Sequence, residues 1–469
     1  MKTLARGLMA MTAALLAGSA QGACAPGSTC FELCPEVSME TSYNTAGSAL
    51  RFLFNGEGSW LFATELDLRQ DFRFSEEALQ GMARLKRIFD GYGTQVVIVY
   101  TPPRALMHPD KLRKASYNHA EALRTYREAL SQLRALGYVV PEYTRLIPDP
   151  TGSFYQRRDH HWTTQGAQKT AQLVAETIAQ LPLYPTLRKT AFVTELKGRY
   201  KKYGTLANVA TRVCGMGMPN QYISSYSTVA RDSSSDESAL FGEGGSSPEV
   251  ALIGTSFSKG KVDYNFAGFM QEYLSVAIDN RAIRGGGYNG ALEQMILDGM
   301  FASQPPRLLV WEIPGQFSLD SPAFYRLVGA ELAGGCKGNG KLVGKGPAAS
   351  EAEWDILANA EGGKVKPVLA AGHLLKFKFS DPSVFSFFLN LTYMSGYHEK
   401  IKVERHPYVK HQGVFHFNLP DTGKFADDTL YSVGLRLAQP SEAKVEVEIQ
   451  ACDRPPALAP APTDAVAGH

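Results

Sequence analysis

After its first two dozen residues, this chain of 469 residues has no apolar run long enough to cross a bilayer, which takes about 20 residues. Charge of either sign is not in excess: 48 Lys and Arg stand against 46 Asp and Glu, a formal net charge of +2. Such a balance gives no electrostatic reason to expect nucleic acid binding. There is no Cys-x-x-Cys pair and no histidine pair near Cys30 and Cys34, so no zinc site is assigned. What is present is ordinary for a folded protein. Hydrophobic residues make up 44% and charged residues 20%, enough for a buried core in two or three domains.

Residues 1–22 read as a secretory signal: Lys2 and Arg6, an apolar stretch from Leu8 to Ala17, and small residues at Ala20 and Gly22. The apolar stretch is too short for an anchor, and Gln21 stands where a lipid-attachment motif at Cys24 wants an aliphatic residue. The mature protein is therefore expected outside the cytoplasm, without a transmembrane segment. An even cysteine count after an export signal favours disulfides. Cys336 and Cys452 bracket the C-terminal segment and are expected to pair, which on the loop-entropy model stabilises by about 4–5 kcal/mol. Cys214 is expected to pair with Cys30 or Cys34.

The chain alternates helix and strand from Ser75 to Pro314. Ser75 caps a helix to about Asp90. Gln95–Tyr100 is a continuous apolar strand, followed by Thr101-Pro-Pro-Arg104. A helix from about Ala120 to Leu136 and a strand at Tyr138–Val140 complete a βαβ pattern. Thr164 is a possible cap for a helix to about Gln180. Residues 183–247 read as an insertion. Its run Lys197-Gly-Arg-Tyr-Lys-Lys-Tyr203 faces either an acidic polymer or plain solvent. Glu249–Ile253 is a short buried strand. A helix over about Gly260–Tyr273, a strand at Leu274–Ile278, a helix from about Asn289 to Phe301 and a strand at Arg307–Ile313 follow. From about Ala348 six short alternating strands signal an all-β sandwich. The Pro/Ala-rich tail is expected to be disordered.

Three features carry chemistry. Gly254-Thr-Ser256-Phe-Ser258 places a serine past the carboxyl end of a buried strand, where open α/β sheets hold ligands. Asp159-His160-His161-Trp162 places a carboxylate two residues before a histidine, so that it can orient the ring as a base for a nucleophile. Arg284-Gly-Gly-Gly-Tyr288 can bring a backbone amide close to a reacting oxygen. All three fall on the expected rim of one parallel sheet. Bland alternatives exist for each: a tight turn, a capping aspartate beside surface histidines, and a strand–helix connection.

Together these motifs resemble the SGNH/GDSL hydrolase superfamily with its usual order permuted, since Asp159 and His161 precede Ser256. The permuted order, the chain length, the export signal and the β-rich C-terminal half resemble the AlgX/AlgJ-type alginate O-acetyltransferases of the periplasm. The resemblance implies an α/β fold: a permuted SGNH-like parallel sheet with helices on both faces, followed by a C-terminal all-β sandwich like a carbohydrate-binding module. The expected domains are 1–22 signal, 23–347 catalytic, 348–453 sandwich and 454–469 tail. It implies Ser256 as nucleophile, His161 as base and Asp159 as its orienting acid. Gly286 or Gly287 would be an oxyanion donor. The superfamily's asparagine after the next strand has no counterpart in Trp311-Glu-Ile-Pro314.

The implied function is acetyl transfer to mannuronate hydroxyls of alginate, with no cofactor and no metal. Implied partners are alginate or polymannuronate, an acetyl donor or donor protein, and other proteins of an alginate secretion complex. A polysaccharide acetylesterase with the same triad, and a non-catalytic polysaccharide-binding scaffold, are the alternatives. Alternation puts Lys376 and Lys378 on one strand face. With Lys400, Lys402 and Arg405 they are the candidate contacts to a polyuronate, as one basic face of the sandwich, unless these lysines only keep that face soluble.

Overall fold

The computed structural model describes residues 32–43, 50–113, 116–231, 248–259, 264–336, 340–359, 363–365, 368–421, 425–441 and 443–456. The expected signal segment, Cys24, Cys30 and the tail from residue 457 onward lie outside the described residues.

After two 3-10 turns at Pro35–Ser38 and Glu40–Ser42 comes a hairpin of β1 (Leu53–Asn55) and β2 (Leu61–Ala63), then one helical turn, α1 (Thr64–Asp67). Helix α2 (Glu76–Gly91) is capped by Ser75, whose hydroxyl accepts from the Ala78 amide. Met82, Leu85, Ile88 and Phe89 form its buried side. Strand β3 (Gln95–Thr101) is buried at all but its first position, as a strand covered on both faces must be. It leads into α3 (Arg104–Met107) and α4 (His119–Ala135). The strand expected at Tyr138–Val140 is only a single parallel bridge between Val97 and Val139. Pro141 has no N–H to extend the ladder.

Helix α5 (Thr164–Ala179) is capped by Thr163, which accepts from the Gly166 amide, and not by Thr164 as expected. The insertion is an antiparallel ribbon of β4 (Phe192–Lys202) and β5 (Gln221–Ala230), with α6 (Thr205–Cys214) between them. Helix α6 packs its Leu206, Val209 and Ala210 on β1 and β2, and a Cys34–Cys214 disulfide ties the N-terminal segment to its end. Of the two expected partners, Cys214 is joined to Cys34.

Strand β6 (Val250–Ile253), α7 (Phe266–Leu274), β7 (Ile278–Asn280), α8 (Gly290–Leu297), α9 (Met300–Ser303) and β8 (Leu308–Pro314) complete a four-stranded parallel sheet in the order β3-β8-β6-β7. Strand β7 begins at Ile278, not Leu274, because α7 runs on to Leu274. Ser275, at φ 51°, then ends the helix. The carboxyl ends of β6 and β8 are adjacent, so the turn after each opens onto the same rim.

Helix α10 (Pro322–Leu332) carries the chain into two four-stranded antiparallel sheets, β10-β15-β12-β13 and β14-β11-β16-β9. Their strands are β9 (Lys341–Ala348), β10 (Trp354–Ala358), β11 (His373–Phe379), β12 (Ser386–Tyr393), β13 (His398–Glu404), β14 (Val414–Asn418), β15 (Leu430–Leu437) and β16 (Val445–Asp453). Phe377 and Phe379 of one sheet pack on Phe387 of the other, which makes a sandwich core. The Cys336–Cys452 disulfide joins its two ends as expected. Strands β9 and β10 were not expected. Gly344, Gly346 and Pro347 make β9 a poor strand by composition, and it exists because it pairs with β16. The sandwich therefore starts before residue 348.

The sandwich docks on the parallel-sheet unit through buried charge. Glu331 of α10 pairs with Arg405, and Arg326 of α10 lies 2.8 Å from Glu399 of β13. Arg84 of α2 meets Asp421 at 2.6 Å, and Arg454 meets the same carboxylate at 3.0 Å.

Candidate active site

The segment before α5 doubles back on itself. Tyr155 and Trp162 form an antiparallel bridge, and the Gln156 amide donates to the His161 carbonyl. Asp159, His160 and His161 occupy the tip. A buried guanidinium holds this loop from beneath: Arg104, at the start of α3, donates to the carbonyls of Gln156, Arg157 and Leu61 and to Asp67 Oδ2. Trp60 and Phe62 of the N-terminal hairpin flank it. Trp162 fastens the other end, donating its indole N–H to the Phe257 carbonyl at 3.1 Å. The loop and the serine turn are thereby joined directly.

The serine turn is built on a buried carboxyl group. Glu312 of β8 accepts from the Thr255 amide at 2.7 Å, from the Thr255 hydroxyl and from the Ser258 hydroxyl. Only glycine fits at 254, because a Cβ there would lie 2.5 Å from Glu312 Oε2. Burial pushes Glu312 up to about 7, against the pull of those hydrogen bonds.

His161 bridges the two pieces. Its Nδ1 lies 2.6 Å from Asp159 Oδ1 and its Nε2 lies 2.7 Å from Ser256 Oγ. Asp159 Oδ1 also accepts from the His161 amide at 2.9 Å. Asp159 Oδ2 accepts from the Thr205 amide at 2.9 Å and faces Lys202 Nζ at 3.2 Å. Burial alone would raise the Asp159 carboxyl, but the charge and hydrogen bond of His161, together with Lys202, hold it well below the ordinary range. Burial lowers the Lys202 ammonium, and Asp159 opposes that shift. His160 lies tilted against His161 with ring centroids 3.8 Å apart, and its Nδ1 meets the Thr205 hydroxyl at 2.7 Å. Burial, then the charge of His161, lowers His160 well below the ordinary histidine range.

Among the described residues, Asp159, His160 and His161 are the one cluster with metal-ligand spacing. Their ligand atoms are engaged with Thr205, Lys202 and one another, and the ammonium beside Asp159 repels a cation. The donor set fits a hydrogen-bonded relay and not a metal centre.

Ser256 opens into a cavity of about 390 Å³ walled by Gly285, Gly287, Asn289, Phe317 and His406. In the serine turn the amides of Thr255, Phe257 and Ser258 all have acceptors, and the Ser256 amide has none among the described residues. Gly286 already donates its amide to the Ile283 carbonyl at 3.0 Å. Gly287, at φ 61°, lines the cavity and has no such acceptor among the described residues, so the second candidate donor is Gly287. Asn289 was not anticipated. It lines the cavity with its side-chain amide held by Glu293 at 2.6 Å. His406 was not anticipated either, because it belongs to the loop between β13 and β14 of the sandwich.

The expected polymer contacts separate. Arg405 is fully buried in its pair with Glu331, donates to the Val414 carbonyl and lies over Phe415, so it is a structural ion and not a polymer contact. Lys376 and Lys378 lie on the outer face of one sheet, opposite the core residues Leu375 and Phe377. Lys400 and Lys402 pair across to Asn390 and Phe388, on the outer face of the other sheet, and Lys402 is paired with Glu404. Outer faces of a sandwich point apart, so these lysines do not form one basic face.

Comparison with known proteins follows the same division. A family model described as an SGNH hydrolase-like domain, acetyltransferase AlgX, matches residues 53–315, and one for a C-terminal carbohydrate-binding module matches residues 335–465. The alginate biosynthesis protein AlgX of Pseudomonas syringae pv. tomato is 33% identical over 459 residues, covering 97% of this chain and 95% of that protein. AlgX of Pseudomonas aeruginosa is 30% identical over 474 residues, 100% of this chain and 98% of that one. The solved structure of Pseudomonas aeruginosa AlgX superposes with a TM-score of 0.75 at 28% identity, covering 90% of this chain and 99% of the other.

Proposed function

Since the chain belongs to the AlgX family of alginate biosynthesis proteins, we propose that it is a periplasmic O-acetyltransferase acting on the mannuronate hydroxyls of alginate. The observation that carries this reading is the unbroken contact from Asp159 through His161 to the Ser256 hydroxyl. His161 Nε2 takes the Ser256 proton as Oγ attacks the acetyl carbonyl of the donor. The amides of Ser256 and Gly287 receive the negative oxygen. The imidazolium, stabilised by Asp159, gives its proton to the departing group and leaves an acetyl ester on Ser256. A sugar hydroxyl then loses its proton to His161 and attacks that ester, and Ser256 recovers its proton. Water competes at the second step, so a bound sugar must fill the cavity.

The test is a product assay with purified protein, an acetyl donor and oligomannuronate. Wild type yields acetylated oligosaccharide. Ser256→Ala, which removes one oxygen from a half-buried rim position, folds normally and yields none. Full transfer by Ser256→Ala removes the nucleophile from the reading. Acetate release without sugar acetylation makes the protein an esterase. No turnover by wild type, with oligomannuronate still bound, makes it a scaffold.

A further inference from the structure

A second cavity of about 420 Å³, lined by both arms of the loop that carries Asp159 and His161, shares no residue with the cavity at Ser256. Three arginines line it: Arg157 and Arg158 from the loop, and Arg199 from β4. Among the described residues, no aspartate or glutamate lines it and none of the three arginines is in an ion pair. Arg158 is only 7% exposed, and its Nη2 donates to the Pro219 carbonyl at 3.0 Å. Its Nε is buried without an acceptor, and the positive charge of Arg157 adds to the cost of burying it. Such an arrangement lacks an anion.

The remaining wall is not that of a bare ion site. Gln165 and Gln168 supply amides, Ser224 a hydroxyl, and Tyr222 a ring that is 58% exposed on β5. Forked guanidinium donors match a carboxylate, amides and hydroxyls match sugar hydroxyls, and an open tyrosine face packs on a pyranose ring. We propose that this cavity binds a uronate unit of an acidic glycan, as a polymer subsite separate from the acetylation cavity. The proposal rests on the alginate reading and names a binding place for the polymer within it. Arg157 and Arg158 directly precede Asp159, so a uronate held here anchors the polymer to the loop that carries Asp159 and His161. The basic-aromatic run of the insertion thereby acquires a role through Arg199.

The experiment is calorimetric titration of the full chain at low salt with oligomannuronate, and with a neutral manno-oligosaccharide alongside. The variant Arg157→Glu/Arg199→Glu changes two exposed side chains and leaves Arg158 in place. Lys376→Glu/Lys378→Glu makes the same change in net charge elsewhere. Wild type is expected to bind oligomannuronate and not the neutral sugar. The arginine variant is expected to lose roughly tenfold or more in affinity, the lysine variant much less. Equal loss in both variants, or none in the arginine variant, overturns the subsite and leaves the alginate reading standing. Wild type that binds neither sugar overturns both.

Discussion

Among the described residues, Glu312 is a carboxyl group with no cation beside it, buried at the centre of the sheet, and its hydrogen bonds come from the turn that carries Ser256. Burial raises it from the usual 4.5 to about 7. Between those values the folded protein holds a proton that the unfolded chain releases, so the stability due to the neutral form is complete below about 4.5 and is lost as pH rises to about 7. Glu293, also raised to about 7 by burial, acts in the same direction. Glu312→Gln is expected to flatten part of this slope. Denaturant midpoints at a series of pH values from 5 to 7.5 check it, and a variant slope equal to that of wild type would refute the assignment.

Most elements were readable because their signals are local. Ser75, the apolar run of β3 and the alternation in β11 to β15 each act within a few residues. The Asp-x-His and Gly-Thr-Ser turns were readable for the same reason. The supports of the site were not, because each comes from a distant element whose meaning exists only after folding: Lys202 from β4, Thr205 from α6, Glu312 from β8 and Arg104 from α3. The lysine pattern misled because period-two alternation gives the face of a strand but not which sheet of the sandwich owns it. Arg104 provides a test of how these elements cooperate. Arg104→Met would leave Asp67 buried without its cation and three carbonyls without their donor. A loss of about 3–5 kcal/mol is expected in denaturant unfolding, with the proposed acetyl transfer falling further than the unfolded fraction explains. A loss under about 1 kcal/mol would mean that the loop is held by other contacts.

At the scale of the whole molecule, the parallel-sheet unit and the sandwich behave as one body. Leu374 and Cys452 of the sandwich lie in the core of the first unit, and Leu327 of α10 lies in the core of the second. Wild type is therefore expected to unfold in a single calorimetric transition. Arg405→Met, which strands Glu331, should lower the midpoint and separate a sandwich transition from the rest; an unchanged single peak would show that the ion pair contributes little. The same docking sets His406, the next residue after Arg405, into the wall of the Ser256 cavity. That seam constrains how such a protein can evolve. A recombination exchanging the module for one from another protein would replace part of the wall of the Ser256 cavity along with the sandwich. The two halves are thus expected to be inherited as a matched pair, with substitutions around His406 tracking those around Gly287 and Asn289.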